Sequence, residues 1–239
     1  MSLRTTLMAL GGAVLAALIW WGIRTYLSLN ASKQLIEHTR PFERLTDDTR
    51  VSLLVLGDST AVGVGATLPE ESVPGRVAAA LGATYVENHA VIGAVTADLA
   101  DQVKQGALPA YDFILIQIGA NDMVRFHDAE ATARALGTTL ASLPPAGSVV
   151  VISAGDLGTA RLFPYPLRVL YTRINREYHQ AFGAAVRAEG ATYVDLSKGP
   201  GVVRFEEDPT AHFAADNFHL SSRGYGLWFE AIRENVQGL

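Results

Sequence analysis

The stretch VSLLVLGDST, Val51 to Thr60, decides the fold. Apart from Ser52, its first six residues are uninterrupted Val and Leu, the pattern of a strand covered on both faces. Gly57 ends the run and leaves Asp58, Ser59 and Thr60 at its mouth. Working outward from Val51–Leu56, four more runs read as strands: Thr84–Val86, Phe113–Ile118, Val149–Ile152 and Tyr193–Asp195. Between them apolar residues recur at three- or four-residue steps, as in Val95/Leu99/Val103, Leu136/Leu140/Leu143 and Leu170/Ile174/Tyr178/Phe182. A last helix, Tyr225/Trp228/Ile232/Val236, has Ser221 or Ser222 as its cap. The alternation predicts one three-layer α/β/α domain over residues 51–239, built on a five-stranded parallel sheet.

Ahead of that domain the sequence changes character. Leu7–Ile23, LMALGGAVLAALIWWGI, carries no charge, lies between Arg4 and Arg24, and ends in Trp20 and Trp21 with Tyr26 just beyond. With Thr5 and Thr6 it makes a helix of about 28 Å, close to the thickness of the hydrocarbon layer. Uniform hydrophobicity and interfacial tryptophans predict an N-terminal membrane anchor over residues 1–27, with the transmembrane helix at about 5–23. A cleavable signal peptide is the rival reading. No small-x-small site follows the apolar run, and Leu29-Asn30-Ala31 fits one poorly. As an anchor the helix implies a single-pass membrane protein with its domain on the extracytoplasmic, periplasmic side. Arg4 and the amino terminus nearly balance Arg24, Lys33 and Arg40, so positive charge leaves the orientation open. Residues 28–50 are polar, with Pro41 and Asp47-Asp48, and read as a short linker holding one helix around Ser32–Thr39.

The chain holds 19 basic and 24 acidic residues, and every acidic one lies beyond position 36. A net-acidic domain without clustered Lys and Arg argues against a nucleic-acid partner. Cysteine is absent, which removes disulfides, thiolate metal sites and thiol nucleophiles. His127-Asp128 and Glu206-Glu207-Asp208 lack convergent ligand spacing, so no metal is expected. No cofactor is expected either: Gly63-Val64-Gly65 lacks the rest of a dinucleotide fingerprint and the lysine of a P-loop.

In such sheets chemistry gathers at the C-terminal strand ends, where strand order reverses. Asp58-Ser59 follows the first predicted strand, Asn88–Gly93 the second and Gly119-Ala120-Asn121-Asp122 the third; Asp216-Asn217-Phe218-His219 follows the fifth after a loop. A serine at a strand mouth and a histidine three residues after an aspartate are the parts of nucleophilic acyl transfer. Each has a plainer reading: Ser59 as a helix cap, Asn121-Asp122 as caps of the next helix, Gly93 as a turn residue, Asp216 and His219 as a surface pair.

Taken in order, these four segments resemble the sequence blocks of the SGNH (GDSL) hydrolase superfamily, with Gly63 and Gly65 extending the first. Thr60, Ala90, Ile92 and Leu220 stand where Leu, Gly, Ser and Pro are common. The resemblance covers about residues 51–237 and implies a flavodoxin-like fold and a serine ester hydrolase: an esterase, lipase or deacetylase acting on acyl esters of lipids or carbohydrates. It implies Ser59 as nucleophile, His219 as base and Asp216 as the residue orienting the imidazole. The oxyanion donors would be the N–H groups of Ser59 and Gly93 and the Asn121 amide. The apolar loop Leu162–Leu167, with Phe163 and Tyr165, is expected either to receive an acyl chain or to pack on the core. Other readings stay open. Gly57-Asp58-Ser59-Thr60-Ala61 approximates the α/β-hydrolase G-x-S-x-G, although Ser59 follows the first strand rather than a later one. An acyltransferase would use the same site. A membrane-tethered, non-catalytic flavodoxin-like binding module would leave His219 unexplained. His89 and His212 read as bystanders, since Pro209 stands three residues before His212 where His219 has Asp216.

Overall fold

Strand β1 (Ser52–Gly57) is buried at every position. In the computed structural model, which describes residues 2–197, 204–205 and 207–239, it lies between β2 (Tyr85–Asn88) and β3 (Tyr111–Ile118). Beyond β3 come β4 (Ala146–Ser153) and β5 (Thr192–Val194), giving the order β2-β1-β3-β4-β5 with every pairing parallel. All five predicted strands are present. The third and fourth begin earlier than the apolar runs do, because Tyr111 and Phe113 pair with Ala146 and Ser148, residues with little strand signature of their own.

Alternate β1 residues feed opposite cores. Leu53 and Val55 pack with residues of α3 (Val73–Leu81) and of the last helix (Ser222–Asn235), among them Val77, Trp228 and Ile232. Leu54 and Leu56 pack against the other layer, formed by α4 (Leu99–Val103), α6 (Ala129–Ala141) and α7 (Tyr165–Ala188). At roughly 2 kcal/mol for each fully buried leucine, this two-sided burial commits β1 to the centre of the sheet. The winding reverses between β1 and β3, so the crevice at their C-terminal ends is where the fold leaves room for a ligand. Two short helices start there, α2 (Ser59–Val62) and α5 (Ala120–Val124), while α8 (Pro209–His212) precedes the final helix, α9 (Ser222–Asn235).

Helix α1 (Leu3–His38) runs unbroken through the stretch where a separate helix was expected. No Gly or Pro falls between Gly22 and Pro41 to interrupt it, and Pro41 disfavours helix in the residue before it. Its apolar part has a mean hydropathy of 1.9 and is long enough to cross a membrane or to be a signal sequence. From Arg24 onward one face turns inward: Ser28 is buried, and Ala31, Ser32, Leu35 and Ile36 are half-buried at helical spacing. Residues 28–50 are therefore not a free linker. Phe42 enters the core, and Arg44 exchanges backbone hydrogen bonds with Val86, covering the outer edge of β2.

Candidate active site

Gly57 is in register with Gln117, which sets the exits of β1 and β3 side by side. The buried Gln102 side chain accepts from the Gly57 N–H at 2.7 Å and donates to its carbonyl at 2.9 Å, fixing the last residue of the strand. Asp58 then caps α2, its Oδ1 accepting from the Thr60 N–H at 2.9 Å and the Thr60 hydroxyl at 2.8 Å. Ser59 is thus the first residue of a helix that Gly63 ends in the left-handed conformation.

The second segment comes back as a tight loop. Phe213 and Leu220 form an antiparallel bridge, and the Ala214 N–H donates to the His219 carbonyl at 2.8 Å. At its tip Asn217 has φ 60, a left-handed conformation that asparagine tolerates better than most residues. Gly65 lets this loop close on the first segment: a Cβ there would stand 2.3 Å from the Leu220 carbonyl oxygen.

These constraints bring Ser59, His219 and Asp216 into one row. Ser59 Oγ lies 3.1 Å from His219 Nε2, and His219 Nδ1 lies 2.6 Å from Asp216 Oδ2. Asp216 Oδ1 accepts the backbone N–H groups of Phe218 at 3.0 Å and His219 at 2.9 Å. All three side chains are buried. Burial pushes the Asp216 carboxyl upward, but the hydrogen bond and charge of His219 and the two backbone donors outweigh it, so its pKa is held below the ordinary value. Asp58 goes the other way. Its burial outweighs the Thr60 hydrogen bonds and the attraction of His219, and its pKa is raised to about 6. An imidazole held between a carboxylate and a serine hydroxyl can take the serine proton and return it.

Hydrogen-bond donors lie at the exits of the neighbouring strands β2 and β3. Asn121, at the start of α5, uses one amide N–H on the Ala94 carbonyl at 2.9 Å and has a second to offer. Arg125 donates to the Gly93 carbonyl at 2.9 Å, so Gly93 and Ala94 both hang from α5. Gly93 has φ +82, and a Cβ there would meet only an Arg125 nitrogen at 4.0 Å, so the glycine serves backbone conformation rather than space. The N–H groups of Ser59 and Gly93 take no backbone acceptor among the described residues. Asp122, buried beside Asn121, accepts the N–H and hydroxyl of Thr96, each at 2.9 Å, and steadies the loop that carries Gly93.

Ser59, Asn121 and His219 line one cleft with an apolar floor of Leu196, Phe205, Phe213, Leu220 and Trp228. Sequence reasoning did not find that floor. Phe163 and Tyr165 do not line it: Phe163 packs on Tyr171 and Phe218, and Tyr165 is exposed. Gly93 is not among the residues that line the cleft; its neighbour Ala94 accepts from Asn121, which is. His89 is paired with Glu87 at 2.8 Å, and His212 Nδ1 is bonded to the Asp208 carbonyl at 2.8 Å; neither lines the cleft. Among the described residues no three His, Asp or Glu side chains converge as metal ligands; Glu206 lies outside those residues.

Fold and site together define the class: an α/β protein with a Ser–His–Asp row at the C-terminal edge of a parallel sheet. Residues 55–227 match the model of the GDSL-like Lipase/Acylhydrolase family, and the chain belongs to that family. It is 33% identical over 188 residues to a GDSL-like esterase of Mycobacterium tuberculosis, a match that covers 74% of this chain and 59% of that protein's length. Its fold is shared with phospholipase A1 from Streptomyces albidoflavus NA297, at a TM-score of 0.63 and 18% identity over 78% of this chain and 99% of that one. An acetyl xylan esterase from Geobacillus stearothermophilus also has it, at a TM-score of 0.54 and 20% identity over 79% and 95% of the two chains.

Proposed function

We propose that the protein is a membrane-anchored serine ester hydrolase with Ser59 as nucleophile, His219 as general base and Asp216 as its orienting carboxylate. The observation that carries the reading is the unbroken row from Ser59 Oγ through His219 to Asp216, at 3.1 and 2.6 Å. A serine hydroxyl is too weak a nucleophile at neutral pH without a base to take its proton. His219 Nε2 takes it as Oγ bonds to the acyl carbon, and Asp216 stabilises the imidazolium and fixes its tautomer. The oxyanion is met by the N–H groups of Ser59 and Gly93 and the Asn121 amide. The tetrahedral centre collapses, the bond to the alcohol oxygen breaks, and His219 delivers the proton to it. Water, activated by His219 in the same way, then releases the acid and restores Ser59.

The cleft supports one substrate class. Its floor of Leu196, Phe205, Phe213, Leu220 and Trp228 suits an aliphatic acyl chain better than a bare acetyl group. The GDSL-like esterase relative supports ester chemistry. Helix α1 is read as a single-pass anchor holding the domain on the extracytoplasmic side; the charge-free run between Arg4 and Arg24 and the paired tryptophans support insertion. A fluorophosphonate probe tests the nucleophile. It should label the full-length protein, and Ser59→Ala should abolish both the label and ester hydrolysis. A panel of p-nitrophenyl esters and acetylated sugars should show faster turnover of medium-chain esters than of acetyl groups. A protein that takes no label and cleaves none of them refutes the hydrolase reading.

A further inference from the structure

The loop that carries His219 lies at the edge of the domain from which α1 leaves. Asn217, between Asp216 and Phe218, donates through Nδ2 to the Ser28 hydroxyl at 3.3 Å, and Ser28 is buried in that contact. The helix therefore passes directly beside the loop that bears His219, and its charge-free run lies just beyond, N-terminal to Arg24. Next to it, the segment from Arg161 to Arg168, which enters α7, shares an open groove with Val14, Leu18, Trp21 and Arg24 of α1. That shared groove sets the depth. The segment lies beside the C-terminal half of the apolar run, from Val14 through the tryptophans to Arg24, not beside the polar part of the helix.

The side chains at this edge match such a depth. Tyr165 is 75% exposed, and Phe126 and Val169 are each 56% exposed. Arg161 and Arg168 stand with Arg24 around the groove, and the Arg24 guanidinium lies 5.5 Å from the Trp20 ring. Cations beside interfacial aromatics are the arrangement that meets lipid phosphates at the headgroup level. The edge is also wired to the site. Phe126 stacks on Tyr171 at 5.7 Å, Tyr171 meets Phe163 at 4.5 Å, Phe163 meets Phe218 at 5.9 Å, and Phe218 meets the His219 ring at 5.1 Å.

From this we propose that the edge formed by Phe126 and the start of α7 is a membrane-docking surface. It seats on the same bilayer that holds α1 and presents the Ser59 cleft to the lipid, so that the acyl ester enters from the membrane. The inference rests on the reading of α1 as an anchor. It assigns the Phe163–Tyr165 loop to the membrane contact rather than to the cleft floor.

The chain lacks cysteine, so single introduced cysteines give unique fluorophore sites in the full-length protein reconstituted in phosphatidylcholine vesicles. Four positions suffice: Val14→Cys in the apolar helix, Phe126→Cys and Val169→Cys at the docking edge, and Glu189→Cys at the far end of α7. That end is about 36 Å from Tyr165 at ~1.5 Å per residue. Lipids spin-labelled deep in the chain should quench position 14. Lipids spin-labelled near the headgroup should quench positions 126 and 169 at least about threefold more than position 189. Quenching at 14 with none at 126 and 169 overturns the docking surface and leaves the anchor standing. No quenching at 14 overturns the anchor itself. Cross-linking of position 169 between copies, without lipid quenching, would give the surface to a second copy of the chain and overturn the proposal.

Discussion

Asp58→Asn should make the protein more stable at pH 8 and leave it nearly unchanged at pH 4. Asp58 is fully enclosed. Its Oδ1 serves Thr60, and its Oδ2 has no partner among the described residues. Burial raises its pKa from 3.8 to about 6 despite the Thr60 hydrogen bonds and the charge of His219, with Asp122 adding to the rise. The folded state then holds the proton more tightly than the unfolded chain. Stability falls as pH rises from 3.8 to about 6 and stays at that lower level above it. At about 1.4 kcal/mol for each pH unit in that window, the carboxylate costs about 3 kcal/mol at neutral pH. Asparagine keeps the acceptor for Thr60, caps a helix about as well as aspartate, and places its NH2 where the protonated acid has its hydroxyl. Wild type and variant should therefore match at low pH and separate above pH 6. Urea titrations of the full-length protein in detergent at pH 4 and pH 8 measure the difference directly. An equal shift at both pH values, or a variant less stable at pH 8, would refute the reasoning. It would mean that water or a hydrogen bond satisfies Oδ2 and that burial costs the charge little.

Asn121→Ala should lower kcat by about 10²- to 10³-fold, the usual loss for one oxyanion donor, with KM nearly unchanged; steady-state kinetics with an unaltered kcat would remove Asn121 from that role. Gly65→Ala forces a Cβ to within 2.3 Å of the Leu220 carbonyl at a φ of +96. It should cost at least ~1–2 kcal/mol in backbone strain and, by pushing the His219 loop away, at least about tenfold in kcat; calorimetry together with kinetics checks both, and an active variant of wild-type Tm refutes the close approach. Phe213→Ala, in the cleft floor, should slow long-chain esters more than acetyl esters. Phe163→Ala, which acts through Phe218, should slow both alike, so a chain-length series on the two variants separates floor from support, and the same profile for both would merge those roles.

The parts of the fold that were legible in the sequence are those whose burial is nearly complete along a continuous run. Val51–Leu56, Phe113–Ile118 and Val149–Ile152 announce a sheet covered on both faces because almost every one of their residues is buried there. The four polar segments were legible because a parallel sheet leaves its strand exits on one edge. Contacts made by side chains without a period were not. Gln102 looks like any helix polar residue, yet it clamps both backbone groups of Gly57. The cleft floor includes Leu196, Phe205 and Phe213, which follow β5 in the sequence with no spacing that marks an inward face. Residues 28–50 misread for a related reason: their polarity suits a linker, but a helix with one half-buried stripe needs only a few inward residues, and Ser28 is one of them. That misreading bears on function. Under the proposed anchor role, a flexible linker would let the domain tumble above the membrane, whereas a continuous helix bonded to Asn217 would hold the domain close to the membrane-spanning segment. With that anchor, a rigid attachment would spare the proposed lipid ester a search for orientation at each encounter, and the Asn217–Ser28 hydrogen bond, two residues from His219, is where the helix meets the candidate site.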